Sequence, residues 1–246
     1  MIQGCGAIYH REVLILQRRF WRMLASMAVS PLLYLLAFGY AMGDRVMVAG
    51  YTYTEFLIPG LVAMTSMTQA YGIASEINIS RFYWHIFEEF QAAPINDVAY
   101  VLGEVLAGIT RSFISVIVIL GLGFVFGVSL GYYTIWFWLP VLLNSFVFSS
   151  LAVGIAMLVK SHSDQAMVNN FIITPMAFLG GTFFPIDRLP PVAQKILFFL
   201  PLTHASKAIR GAAFEHHADW YSCLLLALTG ALFFFIAIHC VNRAKD

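Results

Sequence analysis

Residues 134–159 read TIWFWLPVLLNSFVFSSLAVGIAMLV and contain no Asp, Glu, Lys or Arg. The apolar core of a bilayer is about 30 Å thick, and an α-helix of about 20 residues crosses it. This run is long enough to cross a membrane as one helix, and its lack of charge favours lipid over water around it. It therefore predicts a membrane-spanning helix and decides the fold class.

Five other runs share this character. Residues 98–127 are interrupted only by Glu104 and Arg111, and four runs lack charge altogether: 23–43, 56–75, 165–186 and 220–242. The alternative is a soluble protein with a large buried core. Six such runs leave too little polar chain to cover that core. Apolar residue types make up 60% of the 246 residues and charged types only 11%. The sequence predicts an all-α integral membrane protein with six transmembrane helices in one domain, residues 1–246.

The distribution of basic residues predicts the orientation in the membrane. An even number of spans puts both termini on one side, and that side also carries the following basic residues: Arg11, Arg18, Arg19, Arg22, Arg81, Lys160, Arg243 and Lys245. The short loops opposite carry only Arg45, although segment 183–219 adds further basic residues. Tyr and Trp, which favour membrane interfaces, cluster at the predicted outer ends of the spans: Tyr51, Tyr53, Tyr132, Tyr133, Trp136, Trp138, Trp220 and Tyr221. We expect both termini in the cytoplasm and a retained first span, which is too long for a signal peptide.

The sequence argues against several chemistries. A net charge of +1 gives no electrostatic basis for binding nucleic acid. The three cysteines lie far apart, and the seven histidines, including the adjacent His216 and His217, form no metal-binding pattern. The sequence contains no HExxH motif and no Gly-Lys dipeptide, so it has no zinc-protease signature and no Walker A loop. We expect no catalytic site, cofactor or metal in this chain; if ATP drives it, another subunit binds the ATP.

Residues 7–22, AIYHREVLILQRRFWR, have the period of an amphipathic helix. One face carries apolar and aromatic side chains: Tyr9, Val13, Leu16 and Phe20. The other side carries arginines: Arg11, Arg18 and Arg22. We interpret residues 1–22 as a helix in the cytoplasmic interface with its arginines toward lipid headgroups. The alternative is a positively charged flank that only sets topology.

The loop after the second predicted span, residues 80–97, reads SRFYWHIFEEFQAAPIND. Ser80 can cap a short helix, and Pro94 would end it. One face of that helix carries Arg81, His85 and Glu88. Another face carries Tyr83, Phe87 and Phe90. A helix over 80–95 with a polar face toward the cytosol and an aromatic face toward the bundle could transmit force from a docked partner, and an ordinary connector is the alternative.

Glycine and proline break the segment 176–219 into short pieces. Gly180, Gly181 and Pro185 end one helix, Pro190 and Pro191 begin a short one, and Pro201 separates it from an amphipathic piece, 204–214. Pieces this short cannot span a membrane. We interpret residues 183–214 as a re-entrant hairpin that dips in from the outside and packs beside a route for substrate. A loop lying flat on the membrane is the alternative.

Polar residues inside the predicted spans have two interpretations. Glu104 and Arg111 share one helical face about 10 Å apart, too far for a direct pair. Arg111 at that depth either lines a path or contacts headgroups, or it links helices. Four amides are expected to bond helices together: Gln69, Asn144, Asn169 and Asn170.

Three landmarks resemble the ABC-2 type exporter permeases, the membrane subunits of ATP-driven exporters. They are an IPG run at 58–60, the loop FEEFQAAPI at 87–95, and FLGGTFFPIDRLPPVAQKILFFLPLTHASKAIRG at 178–211. The last is the most specific, with its small residues, Leu-Pro, Pro-Leu-Thr-His step and final arginine. The resemblance covers nearly the whole chain.

The resemblance implies a permease that works as a dimer with a second copy of itself and with two copies of a cytoplasmic ABC ATPase subunit, which would hold ATP and Mg. The short connector would enter the ATPase cleft and dock through Arg81, His85, Glu88 and Glu89. The hairpin would lie at an outer gate, for which the candidate pathway or gate residues are Arg111, Gly180, Gly181, Pro185, Pro190, Pro201, His204 and Arg210. The likeness is greatest to inner-membrane exporters of lipo-oligosaccharides, polysaccharides and hydrophobic drugs.

Two other classes stay open on the residues alone. An ion-gradient-driven secondary transporter could use Glu104 and Arg111 as a coupling pair, although no convincing internal repeat is visible. A membrane-embedded enzyme would need a nucleophile–base or metal constellation, which the sequence does not offer.

Overall fold

The computed structural model describes residues 2–39, 42, 46–48, 50–93, 95–128, 132, 134–214, 217 and 219–244. Five residues used in the sequence predictions lie outside these ranges: Arg45, Pro94, Tyr133, His216 and Lys245. The α-helices, in chain order, are α1 Ile2–Arg18, α2 Phe20–Tyr34, α3 Tyr53–Tyr71, α4 Ile73–Phe82, α5 Ile86–Ala92, α6 Asp97–Val125, α7 Ile135–Leu158, α8 His162–Val168, α9 Thr174–Leu179, α10 Pro191–Phe198, α11 Pro201–Phe214 and α12 Trp220–Arg243.

Short elements of other kinds join these helices. π-helical turns follow α2 at Leu35–Gly39 and α8 at Asn169–Ile173, and a 3₁₀ turn covers Ile186–Arg188. Strands β1, Met47–Val48, and β2, Tyr51–Thr52, pair antiparallel with Met47 opposite Thr52. Thr52 also caps α3, since its side chain accepts from the Glu55 amide while the Glu55 carboxylate accepts from the Thr52 amide.

Five helical segments in the described residues are long and apolar enough to cross a membrane: 20–39, 53–82, 97–125, 135–158 and 220–243. They correspond to five of the six predicted spans, so the prediction of an all-α membrane protein is confirmed. The second segment runs well past the predicted end at residue 75, because α4 continues α3 after a turn at Gly72.

The remaining predicted span, residues 165–186, contains α8, the second π-helical turn and α9. It is not among the five apolar segments. Gln165 donates a hydrogen bond to the Tyr71 hydroxyl at 2.9 Å, and Thr182 lies against Gly60. The segment therefore runs beside twelve residues of α3, from Tyr71 to Gly60, which is about 17 Å of helix. A count of six spans stays a prediction.

Helix α3 lies at the centre of the bundle. Its residues 56–67 are all buried, with α6, α7 and α11 packed around them. Asn144 of α7 donates to the Ala63 carbonyl oxygen at 3.1 Å and to the Ser66 hydroxyl at 2.7 Å. These bonds confirm that Asn144 links helices.

The two ends of the bundle differ. At one end, which we call the hairpin end, the Trp136 and Trp220 rings lie 5.2 Å apart and Tyr51 stacks on Phe214 at 3.8 Å. The other end, which we call the terminus end, contains the last residues of α4, α7 and α12 and the loop that carries α5. The predicted interfacial aromatics therefore include rings that meet at one end.

The N-terminal helix differs in detail from the amphipathic pattern. It ends at Arg18, and Arg19 breaks the chain before α2 begins at Phe20. The buried residues of α1 are Ile8, Glu12 and Leu16, which face protein, and Ile8 lies over Gly103 of α6. Glu12 faces inward because two arginines contact its carboxylate.

Candidate coupling and gating sites

A tight turn at the hairpin end, Gly180–Thr182, is held on three sides. We call it the diglycine turn. Ser206 donates to the Gly180 carbonyl oxygen at 2.7 Å, and Arg210 donates to that of Gly181 at 2.9 Å. Thr182 donates back to Ala177 at 3.0 Å. Gly181 has a φ of +82°, a conformation that L side chains rarely adopt, so glycine is required here.

Helix α3 receives the diglycine turn at Gly60. A Cβ on Gly60 would lie 2.4 Å from the Thr182 carbonyl oxygen, so only a residue without a side chain allows this approach. Gly60 is seven residues inside α3, and the turn therefore lies about 10 Å below the start of that helix. The Ile58–Gly60 run, distant in sequence from the glycine pair, provides its seat.

Arg210 of α11 completes the contact. Its guanidinium carbon lies 3.9 Å from the centre of the Phe56 ring, a cation–π arrangement. No carboxylate in the described part of the chain forms an ion pair with Arg210. A ring face and a carbonyl oxygen therefore stabilise this guanidinium, which suits the planar, delocalised charge of arginine.

The four other predicted gate residues of the hairpin segment begin or link its short helical elements. The His204 ring lies 2.8 Å from the Phe198 carbonyl oxygen and 3.4 Å from the Ser222 hydroxyl, so it links α10, α11 and α12. Pro201 begins α11, Pro185 precedes the 3₁₀ turn, and Pro190 precedes α10. Gly180, Gly181 and Arg210 thus meet with Gly60, which belongs to the Ile58–Gly60 landmark, and with Phe56 and Ser206, which the sequence did not single out as site residues.

Arg111 does not join this group. Its guanidinium contacts the Glu76 carboxylate and lies 3.7 Å from that of Glu12, which also pairs with Arg11 at 2.9 Å. Arg11 reaches on to the Ser80 hydroxyl at 3.2 Å. We call these residues the Arg111 cluster, which ties α1 and α4 to α6. Glu104 is buried on α6, and in the described structure it forms no ion pair with Arg111.

The loop at the terminus end separates the four predicted docking residues. His85 has a φ of 55°, a left-handed conformation that breaks the helix expected over 80–95, so α5 begins only at Ile86. The His85 ring lies 3.1 Å from the Glu88 carboxylate, with both side chains about two-thirds exposed or more. Glu89 is exposed as well.

Arg81 lies on the other side of that break. It belongs to α4, and its guanidinium donates to the Met157 carbonyl oxygen at 2.6 Å, near the end of α7. It also lies over the Phe87 ring at 5.3 Å. The expected shared face of Arg81, His85 and Glu88 is therefore wrong, because the left-handed residue turns α5 away from α4. Arg81 anchors the loop, whereas the other three side chains project from it.

Comparison with known proteins identifies the family. The family model described as ABC-2 type transporter matches residues 3–214. The chain belongs to the ABC-2 type transporter family. Members of this family are transport permeases that normally work with an ATPase subunit.

Curated relatives of this ABC-2 permease cover most of its length. It is 26% identical over 206 residues to the inner membrane transport permease YadH of Escherichia coli strain K12, covering 83% of this chain and 80% of YadH. It is 31% identical over 221 residues to nodulation protein J of Rhizobium leguminosarum bv. trifolii, covering 85% and 81%. A third relative, nodulation protein J of Neorhizobium galegae, is 27% identical over 254 residues, covering 96% and 92%.

Two of the three landmarks that resemble the family are one structure in this ABC-2 permease. The IPG run provides the seat at Gly60, and the late segment provides both the diglycine turn and Arg210. No three His, Cys, Asp or Glu side chains of the described residues are grouped so that they could hold a metal ion. Together, the diglycine turn, Gly60 and Arg210 hold α3 and α11 against each other.

Proposed function

We propose that this permease is the membrane subunit of an ABC exporter that moves a lipid-linked, glycan or hydrophobic substrate outward across the inner membrane, driven by a separate ATPase subunit. The observation that carries the proposal is the projecting helix α5 together with His85 just before it. His85, Glu88 and Glu89 are exposed, while the other face of α5 is anchored in the bundle. The chain has no Walker A loop of its own, so the ATP and Mg belong to the partner.

The anchored face explains how a docked ATPase acts on the bundle. Phe87 is buried and packs edge-on against Tyr100 of α6 at 5.5 Å. Arg81 lies over Phe87 and bonds to the end of α7. A displacement of α5 is therefore passed to α4, α6 and α7 together. The energetic requirement is that the ATPase binds two states of the permease with different affinity.

A second copy of this chain explains the polar face of segment 162–179. Asn169, Asn170 and Thr174 are exposed in the middle of an otherwise apolar stretch. Amides and hydroxyls that face hydrocarbon lose hydrogen bonds, whereas a protein surface or a wet path satisfies them. We place this face at a dimer interface that lines the path. In the proposed arrangement each copy has six spans, a re-entrant hairpin at 183–214 and both termini in the cytoplasm. One ATPase subunit lies under each copy.

The relatives support the choice of membrane, and the family resemblance supports the proposed cargo class. YadH is named as an inner membrane transport permease, which supports the same membrane for this chain. The cargo class rests on the likeness to exporters of lipo-oligosaccharides, polysaccharides and hydrophobic drugs.

The test is co-purification with an ABC ATPase followed by measurement of ATP hydrolysis and transport in liposomes. We expect a stable complex whose hydrolysis depends on the permease. The double variant Glu88→Ala/Glu89→Ala should weaken the complex and lower transport several-fold. Asp187→Ala removes an exposed carboxylate at the hairpin end and should leave assembly unchanged. Unaltered assembly and transport in the double variant would remove Glu88 and Glu89 as docking residues.

An ion-gradient-driven secondary transporter is the other candidate, since Glu104 is only 3% exposed on the same helix as Arg111. Such a protein would transport in liposomes without any ATPase. Transport that requires an ion gradient and ignores ATP would favour this candidate over the exporter.

A further inference from the structure

An apolar cavity of about 520 Å³ lies at the hairpin end, beside the diglycine turn. Aromatic rings from three parts of the chain form its wall: Phe38, Tyr53, Phe178 and Phe183. Its volume falls within the range of about 300–1,000 Å³ that is usual for small-molecule sites.

The wall of this cavity is formed in advance. The Phe183 ring lies 5.2 Å from that of Phe38 and 5.3 Å from that of Phe178, measured between ring centres. The Tyr53 hydroxyl donates to the Phe183 carbonyl oxygen at 2.8 Å. Phe183 follows the diglycine turn directly, so the contact at Gly60 also holds the cavity wall in place. A preformed apolar site binds without the cost of ordering its own side chains.

The cavity has an apolar entrance. Phe178 is 40% exposed, Leu179 46% and Met42 37%, and all three line it. These side chains lie exposed on the side of the bundle, so an apolar chain can enter between them. A wholly water-soluble ligand would find few hydrogen-bonding groups along this wall.

Among the described residues that line the cavity, Arg188 carries the one positive charge. Arg188 ends the 3₁₀ turn and is exposed. It makes no ion pair with a carboxylate of the described residues, not even with the adjacent Asp187. A guanidinium with free donors beside an apolar cavity is complementary to a phosphate or carboxylate attached to an apolar chain.

We propose that this cavity binds a single apolar chain of an anionic amphiphile, with the charged group of the ligand on Arg188. The proposal deepens the exporter function and rests on it for the statement that the ligand is cargo. It narrows the cargo to compounds that carry an apolar chain next to a negative charge.

The experiment measures binding by the purified permease alone, so it does not depend on an ATPase. The probes are lysophosphatidylglycerol and lysophosphatidylcholine of equal chain length, with the bound fraction read by native mass spectrometry. Inorganic phosphate is added as a competitor, because it shares the headgroup chemistry without the chain. We expect lysophosphatidylglycerol to bind more tightly and inorganic phosphate not to displace it.

Two kinds of variant test the two parts of the site. Leu179→Trp, which fills the cavity, should weaken lysophosphatidylglycerol binding about tenfold or more, and Leu189→Trp does the same from another wall. Leu228→Trp changes an exposed leucine of α12, 59% exposed, and should bind like the unaltered protein. Arg188→Gln should reduce the preference for the anionic probe by about tenfold.

Three results would overturn the proposal. If the Leu179, Leu189 and Leu228 variants bind lysophosphatidylglycerol equally well, the apolar chain of the ligand does not occupy this cavity. Equal affinity for the two lysolipids would remove the charge requirement, and displacement by inorganic phosphate would remove the amphiphile. If the unaltered permease does not bind lysophosphatidylglycerol but still forms an ATP-hydrolysing complex, only this inference is refuted. Retained probe binding without any ATPase complex refutes only the exporter function.

Discussion

The guanidinium of Arg210 lies 3.9 Å from the centre of the Phe56 ring and donates from the same side chain to the carbonyl oxygen of Gly181. This residue joins α11, α3 and the diglycine turn without any carboxylate. The contact depends on the planar shape of the guanidinium and on the direction in which it donates. Fewer residue types can therefore replace Arg210 than if only its positive charge mattered.

Arg210→Lys should lower the free energy of unfolding by about 2 kcal/mol, because an ammonium group does not stack on the ring and reach the carbonyl at once. Denaturant unfolding in micelles measures this. Lys195→Ala on α10, an exposed lysine that forms no ion pair with a described carboxylate, is the control and should change stability by about 0.5 kcal/mol or less. Equal stability of Arg210→Lys and the unaltered protein would show that charge alone suffices.

Gly60→Ala should destabilise the protein by about 1–3 kcal/mol, because the new methyl group meets the Thr182 carbonyl oxygen at 2.4 Å. Gly121→Ala is a matched control on α6, where an added methyl group has no neighbour within 4 Å. That control should stabilise its helix by about 0.5–1 kcal/mol. Thermal unfolding of the two variants should therefore shift in opposite directions, and a shared upward shift would contradict the contact.

Arg111→Met should cost about 2 kcal/mol, since it leaves Glu12 and Glu76 close together without their shared cation. The Glu76 side chain is 43% exposed, so water screens part of the interaction and keeps the cost below that of a fully buried pair. Adding Glu76→Met should recover about half of the loss. Arg18→Met, at an exposed arginine, serves as the control. A double variant that is less stable than Arg111→Met alone would contradict the pairing.

The stability of the protein should fall below about pH 4 partly through Asp219, which caps α12. Burial acts to raise its pKa, but hydrogen bonds from Lys207 and Ser222 outweigh it and hold the pKa of Asp219 below the ordinary 3.8. A lowered folded-state pKa gives stability that is present above the unfolded pKa and lost as pH falls through the folded one. Asp219→Asn should flatten the unfolding curve between about pH 5 and 2, and an unchanged slope would contradict this role.

The fold was largely predictable because uncharged runs of sufficient length have few alternatives. The run at 134–159 became α7 with nearly the same ends, Ile135–Leu158. The segment 165–186 was less predictable, since Asn169 and Asn170 interrupt its apolar character and a π-helical turn begins there. The break at His85 left no clear sequence signal, because positive φ is uncommon even for histidine, which adopts it more often than most residues.

The site was predictable only in part. The glycine pair at 180–181 marked a turn, as its chemistry requires, but its partner Gly60 lies some 120 positions earlier. Arg111 was expected to need a partner inside the membrane, yet nothing in a single sequence shows that Glu76 on another helix supplies it. Contacts between distant segments depend on how the helices pack, which periodicity along one helix does not reveal.

Where the diglycine turn meets α3, the main-chain atoms of Thr182 lie against Gly60, which has no side chain. Residues 186–199, which follow the turn, include the exposed Val192, Ile196 and Phe199. Their side chains can be replaced without changing how the turn is held. Under the proposed exporter function, we expect this segment to differ between permeases with different cargo while the contact that anchors the turn stays the same.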